Sequence, residues 1–130
     1  MVKLAYTILY VKDVTKSIEF YEKAFGFQRK FITPDNAYGE LITGDTTLSF
    51  ASFKQAASVF ENGFNKSNKN KKAFGIEIGF TTDDVHGVFS NAIQNGATPE
   101  VTPKVKPWGQ TVSYVRDIDG FLVEICTAMI

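Results

Sequence analysis

The two halves of this sequence predict the same order of secondary structure elements, strand–helix–strand–strand–strand. Alternating apolar residues indicate four strands in each half, at 3–11, 27–33, 37–43 and 46–53, then at 74–81, 99–105, 110–116 and 121–127. An internal repeat requires each half to fold as a similar unit. The repeat therefore constrains the architecture more than any single motif does.

One helix is predicted after the first strand of each half. Asp13 or Thr15 can cap the first helix and Gly26 ends it, while Asp83 or Asp84 can cap the second. Apolar residues of the second helix recur at i, i+3, i+4, i+7 and i+8, namely Val85, Val88, Phe89, Ala92 and Ile93. Each helix thus has one face that packs on a sheet.

The chain has 130 residues, which is the size of one domain. We divide it into module one at 1–53, a linker at 54–72 and module two at 73–130. The linker includes "NKSNKNKK", which is polar and basic without interleaved aromatic residues. This composition is typical of a solvated linker rather than of a nucleic-acid-binding patch.

Bulk composition limits the classes of partner. The formal net charge is zero, so neither a nucleic acid nor a membrane surface is expected as a partner. The N-terminal residues contain no apolar run of the length that a signal or membrane segment needs. With one cysteine in the chain, we predict a reducing, cytoplasmic location.

Two stretches resemble a known family. "ILYVKDVTKSIEFYEKAFGF" at 8–27 and "PWGQTVSYVRDIDGFLVEI" at 107–125 are similar to the glyoxalase/bleomycin-resistance/extradiol-dioxygenase group, the vicinal oxygen chelate superfamily. The second stretch departs from the family's D-P-D-G motif at Ile118. The resemblance covers nearly all of the chain outside the linker, and it predicts the fold better than the reaction.

The resemblance implies an α+β fold of two βαβββ modules whose curved mixed sheets pair into a cup, within one chain or exchanged across a dimer. In metal-dependent members the ligands come from the first and last strands of each module. Motif alignment carries these positions onto Tyr6, Ser49, Glu77 and Glu124. The internal repeat agrees with this alignment. Tyr6 and Glu77 are 71 residues apart, and Ser49 and Glu124 are 75 residues apart, which is also the spacing between the two hairpin turns.

Glu77 and Glu124 are the candidate catalytic residues. By the resemblance they lie on paired strands and face the cup, where two close carboxylates disfavour double ionisation and one pKa should rise. Such a pair suits proton transfer next to a carbonyl group. Two alternatives are that both carboxylates are solvated, or that they pair with a cation such as Arg116.

No metal and no cofactor are expected. Transition metals favour imidazole or thiolate ligands, whereas the sole histidine, His86, lies on the second helix and is expected at the surface. Tyr6 and Ser49 are poor ligands when neutral. Two carboxylates with water could still hold Mg²⁺ or Mn²⁺.

Other side chains are candidate ligand-binding groups. Tyr6, Tyr10 and Ser49 fall on the cup side of their strands, and Trp108 offers either a stacking platform or an anchor in the core or a dimer interface. Cys126 shares the face of Glu124, but no neighbouring group is evident that would make it a nucleophile.

The leading functional hypothesis is a metal-free homodimeric protein that binds a small organic molecule, such as an antibiotic or a toxic metabolite. The alternative is a lyase, isomerase or epimerase that uses Glu77 and Glu124 as an acid/base pair or as ligands of a divalent metal. A third hypothesis is a dimeric interaction module without a ligand.

Overall fold

The computed structural model describes residues 1–129 and contains two compact units, unit 1 from Met1 to Lys66 and unit 2 from Ser67 onward. The boundary falls inside the predicted linker. Each unit has one four-stranded mixed sheet with a helix packed on one face. The predicted α+β class and the repeated βαβββ order are therefore confirmed.

Unit 1 follows the predicted order closely. Its elements are β1 (Tyr6–Val11), α1 (Val14–Phe25), β2 (Gln28–Ile32), β3 (Tyr38–Ile42), β4 (Thr47–Ser52) and a short α2 (Phe53–Ala57). The sheet order is β1-β4-β3-β2, with β1 parallel to β4 and the other pairs antiparallel. The first and last strands of the module are therefore neighbours, as the resemblance implied.

Unit 2 repeats this topology. Its elements are β5 (Glu77–Thr81), α3 (Val85–Gln94), β6 (Thr98–Val105), β7 (Thr111–Arg116) and β8 (Leu122–Cys126). The sheet order is β5-β8-β7-β6, and β5 runs parallel to β8. Strand positions that correspond between the units thus occupy corresponding places in the two sheets.

The structure shows which of the two candidate residues caps the N-terminus of each helix. The side chain of Asp13, not Thr15, accepts a hydrogen bond from the Lys16 amide, and Asp84 does the same for Gly87. Thr15 instead donates its hydroxyl to Asn36 Oδ1 at 2.6 Å, which ties α1 to the β2–β3 turn.

Each of the two hairpin turns contains a glycine with a positive φ angle. Gly44 and Gly120 adopt φ angles of +99° and +91°, a region that glycine enters without the strain imposed by a Cβ atom. In the second turn the Asp117 carboxylate accepts hydrogen bonds from the amides of Asp119 and Phe121. These contacts fix the register of β7 against β8.

The predicted strand at 74–81 was wrong at its start. β5 begins at Glu77, so Glu77 is the first strand residue rather than a central one, and Ile76 is 62% exposed. The reason lies in the partner strand: Glu77 pairs with Leu122, the first residue of β8 after the turn. Residues 74–76 therefore have no partner in the ladder.

The core of each unit lies between its sheet and its helix. In unit 1 the fully buried residues include Ile18 and Tyr21 of α1 and Phe50 of β4; in unit 2 Val115, Val123 and Ile125 are fully buried under α3. We call the opposite face of each sheet, which α1 and α3 do not cover, the helix-free face. Among residues 1–129 no helix combines the length and the apolar character required to cross a bilayer.

Candidate functional site

Glu77 and Glu124 come together on the helix-free face of unit 2. Glu124 lies opposite Gly79 in the parallel β5–β8 ladder, two positions from Glu77, so both side chains project from the same face. Gly79 has no side chain, and an added Cβ there would meet no atom within 4 Å. The two carboxyl groups consequently reach each other diagonally and form a hydrogen bond.

This hydrogen bond separates the proton affinities of the two groups. The bond to Glu124, with partial burial and the negative charge of Glu124, raises the pKa of Glu77 to about 7. The hydrogen bond received from Glu77 lowers the pKa of Glu124. Between the two pKa values the pair therefore holds one shared proton, of which about half is left at pH 7, so one group is an acid and the other a base.

Tyr114 and Cys126 complete the surroundings of Glu124. The Tyr114 hydroxyl donates to Glu124 Oε1 at 3.2 Å, and burial with the two carboxylates raises the pKa of Tyr114 to about 12. Burial and the hydrogen bond to Glu124 raise the pKa of the Cys126 thiol to about 11. Both groups stay protonated and act as hydrogen-bond donors, which agrees with the prediction that Cys126 is no nucleophile.

Trp108 is held by a neighbouring amide. Its indole Nε1 donates to Gln110 Oε1 at 2.8 Å, and Gln110 Nε2 donates to the Thr127 carbonyl at 2.8 Å. The side chain is 63% exposed, so Trp108 is not a core anchor. A fixed, exposed ring remains available to a ligand or to another protein surface. Gln110 also interacts with Cys126, so it links Trp108 to the neighbourhood of the carboxyl pair.

Arg116 does not pair with the carboxylates. Its Nε donates to the Gly120 carbonyl at 2.7 Å and its Nη2 to the Asn68 carbonyl at 3.0 Å. The guanidinium therefore fixes the β7–β8 turn and the start of unit 2. The alternative that Arg116 neutralises Glu77 or Glu124 was wrong, because Arg116 binds these carbonyls and the cation that helps to lower the pKa of Glu124 is Lys106.

The equivalent positions in unit 1 carry different groups. Tyr6 is 53% exposed on the helix-free face, and Ser49 is completely buried on the same face. Beside them Tyr38 donates its hydroxyl to Glu40 Oε2 at 2.6 Å. The motif alignment did not include Tyr38 and Glu40, although their alternation along one strand was a usable signal.

Tyr10 lies on this face as well but is covered by the chain that follows α2. Its ring packs edge-on against Phe64, with ring centroids 4.9 Å apart, and is tilted towards Phe60 at 6.0 Å. The linker at 54–72 thus contains an aromatic segment ahead of its basic stretch. The phenylalanines at 60 and 64, four residues apart, were the signal in the sequence.

The sequence profile of the Glyoxalase/Bleomycin resistance protein/Dioxygenase superfamily matches residues 3–125. The chain belongs to this superfamily. A relative in Bacillus subtilis (strain 168), the protein YraH, is 27% identical over 124 residues, which is 95% of this chain and 96% of that protein.

Solved structures show the same superfamily fold. A glyoxalase-related enzyme from Fulvimarina pelagi aligns with a TM-score of 0.85 and 16% identity, over 98% of this chain and 89% of that chain. Hypothetical protein SA1046 from S. aureus aligns with a TM-score of 0.76 and 24% identity, over 98% and 95% of the two chains. At these identities the likeness shows the fold alone.

The donor atoms of this superfamily member do not fit a transition metal. Among residues 1–129 no group of three or more His, Cys, Asp and Glu side chains could hold a metal ion. His86 is exposed on α3, as predicted. Glu77 and Glu124 provide two oxygen donors that share a proton, whereas zinc and iron sites use at least three protein ligands with nitrogen or sulfur among them.

Proposed function

We propose that this superfamily member binds a small organic molecule, without a metal, on the helix-free face of unit 2. The observation that carries the proposal is the proton-sharing pair of Glu77 and Glu124, linked through Cys126 and Gln110 to the fixed ring of Trp108. A carboxylate anchors a cationic group, and an exposed indole attracts flat or cationic groups through its face. The ligand class is therefore an organic cation with a ring, of which a basic antibiotic or a toxic amine would be examples.

Benzylamine is a simple probe with both properties. Trp108 is the only tryptophan of the chain, so its fluorescence reports binding near unit 2 directly. We expect benzylamine to change this fluorescence in a saturable way and Glu124→Gln, which removes the carboxylate that stays ionised, to weaken the binding roughly tenfold, as loss of a charge-assisted hydrogen bond would. Glu100→Gln, on the exposed strand β6, is the matched control. Equal binding by both variants would contradict the proposal.

A second candidate function is an enzyme that transfers protons next to a carbonyl group, as an isomerase, epimerase or lyase would. The separation of the two pKa values favours it, because a general acid with a pKa near 7 beside a general base suits such chemistry at neutral pH. Glu77 would donate the proton and Glu124 would accept one. Turnover that follows a bell-shaped pH profile and vanishes in Glu124→Gln would favour this candidate over binding alone.

We propose that the protein works without zinc, nickel or iron. Native mass spectrometry and elemental analysis of protein purified without a chelator test this, and they would also detect a retained ligand. About one such metal per chain would overturn the metal-free proposal. A retained Mg²⁺ or Mn²⁺ would point instead to the two carboxylates as ligands.

A cytoplasmic homodimer is the expected form of the protein. Support comes from exposed apolar side chains, because such surfaces in soluble proteins commonly mark interfaces. They include Tyr6, Ile42, Val105 and Trp108, which are 53%, 53%, 74% and 63% exposed. We expect the two copies to be related by two-fold symmetry. Light scattering that gives a monomer mass at micromolar concentration would contradict the dimer.

A further inference from the structure

The dipeptide Asn-Gly occurs twice in the chain, at 62–63 and at 95–96. In such a dipeptide the main-chain amide of the glycine can attack the side-chain carbonyl carbon of the asparagine, and no Cβ atom shields that amide. The attack closes a five-membered ring and releases ammonia. Whether a site reacts depends on how firmly the fold holds the asparagine, because the two groups must first turn towards each other.

The fold holds Asn95 firmly. This residue is the C-cap of α3, and its side-chain Nδ2 donates to the Asn91 carbonyl at 2.8 Å. Its main-chain amide donates to the same carbonyl at 3.1 Å, and the Gly96 amide donates to the Ile93 carbonyl at 3.1 Å. The side chain of Asn95 therefore cannot turn towards the Gly96 amide unless the end of α3 opens.

Asn62 is held much less firmly. Residues 61–63 are all exposed, and the side chain of Asn62 forms no hydrogen bond with any residue among 1–129. One hydrogen bond closes the turn, from the Gly63 amide to the Phe60 carbonyl at 3.0 Å. Opening this single bond in an exposed turn frees the attacking amide, whereas several bonds at a helix end must break around Asn95.

We propose that Asn62 is a site of spontaneous deamidation. The Gly63 amide nitrogen loses its proton and bonds to Cγ of Asn62, the bond from Cγ to Nδ2 breaks, and that nitrogen leaves as ammonia. Water then opens the ring at either of its carbonyl groups, which yields aspartate or isoaspartate without any oxidant or reductant. The site shares no residue with the Glu77–Glu124 pair, so either proposal can fail while the other holds.

Deamidation acts on the aromatic side chains that cover Tyr10. Phe60 and Phe64 lie two residues before and two residues after Asn62, with ring centroids 6.0 and 4.9 Å from that of Tyr10. The reaction places a carboxylate between them, next to the charge of Glu61, and isoaspartate also lengthens the main chain by one CH2 group. Added charge close to packed apolar rings is unfavourable, so we expect these contacts to loosen.

Ageing of the intact protein in mildly alkaline buffer tests the site, with Asn95 as the internal control. Peptide mapping by mass spectrometry measures the deamidation of each asparagine, and a protein isoaspartyl methyltransferase labels the isoaspartate. We expect Asn62 to react at least about tenfold faster than Asn95 in the native protein. In guanidinium chloride the two rates should converge, because only the fold distinguishes the sites. Equal native rates, or a difference that persists in the unfolded chain, would overturn the proposal.

Asn62→Gln is the matched variant. Glutamine keeps the amide but would have to close a six-membered ring, so the aged variant should carry no isoaspartate at 61–64. Deamidated wild type gains a negative charge and can be separated by anion exchange. Its NMR contacts between the rings of Tyr10 and Phe64 should be weaker than those of fresh protein, and aged Asn62→Gln should retain them. Unchanged contacts in the deamidated fraction would overturn the expected loosening of the cover.

Discussion

Glu77 and Glu124 lie on adjacent parallel strands, and their carboxyl groups are hydrogen-bonded to each other across the space left by Gly79. Two carboxylates in this position repel each other when both are ionised, so one of them keeps its proton. The raised pKa of Glu77 and the lowered pKa of Glu124 are the two sides of this relationship. Several properties of the protein should depend on it.

The stability of the protein should depend on pH through Glu77. Its pKa of about 7 in the folded state exceeds its usual value of 4.5, so folding takes up a proton between pH 4.5 and 7 and stability falls as the pH rises through this window. Because Glu77 is exposed, solvent screening limits the effect to roughly 1 kcal/mol. Thermal unfolding at pH 5 and pH 8 measures the change.

Glu77→Gln should remove most of this dependence, since glutamine keeps the shape and does not titrate. At pH 8 the variant should be as stable as the wild type or slightly more so. Below pH 4.5 the lowered pKa of Glu124 acts in the opposite direction, and stability is lost as that group becomes protonated. A wild type and a variant with parallel pH profiles would show that the pair shares no proton.

Trp108 should report on its contact with Gln110. The indole is exposed, so acrylamide should quench its fluorescence readily in the native protein. Gln110→Met removes the acceptor of the 2.8 Å hydrogen bond at similar side-chain volume, and the steady-state anisotropy of Trp108 should fall as the ring gains freedom. Unchanged anisotropy would mean that the hydrogen bond does not hold the ring, and the argument for a fixed platform would fail.

Cys126 should react slowly with thiol reagents in the native protein. The residue is 5% exposed, and its pKa of about 11, against a usual 9, makes the thiolate about 100-fold scarcer at pH 8. Ellman's reagent should therefore modify the thiol at least 100-fold faster after unfolding in guanidinium chloride. In Glu124→Gln the native rate should rise, because the carboxylate that disfavours the thiolate is removed. Rapid native labelling would contradict the burial of this site.

Gly120 should be the least replaceable of the turn glycines. An alanine Cβ there would lie 2.5 Å from the Asn68 carbonyl carbon, and φ is +91°. We expect Gly120→Ala to destabilise the protein by more than about 2 kcal/mol. Gly44→Ala is the matched control: φ is +99° but no atom lies within 4 Å of the added Cβ, so it should cost about 1 kcal/mol. Equal losses of Tm would show that Asn68 does not pack on the turn.

Sequence patterns were reliable where the physics is local. Alternation placed the strands, and the capping aspartates and glycines placed the helix ends, because these signals act within a few residues. The start of β5 was predicted too early because Ile76 continues the apolar alternation. The ladder with β8 begins only at Glu77, which pairs with Leu122. The linker prediction rested on the basic stretch at 65–72, which has no aromatic residue between its lysines, and it gave no role to Phe64 directly before that stretch, which packs on Tyr10.

The sequence by itself determined the repeat and the order of the elements within each half, since periodicity is a property of the chain. Its resemblance to the superfamily singled out Tyr6, Ser49, Glu77 and Glu124. The tertiary structure decided what those residues do. Register brought Glu77 within hydrogen-bond reach of Glu124, turned Arg116 towards two carbonyl groups, and buried Ser49 beside Tyr38. Hydrogen bonds and burial depend on distances of a few ångströms between residues remote in sequence, and these distances exist only once the sheets have formed.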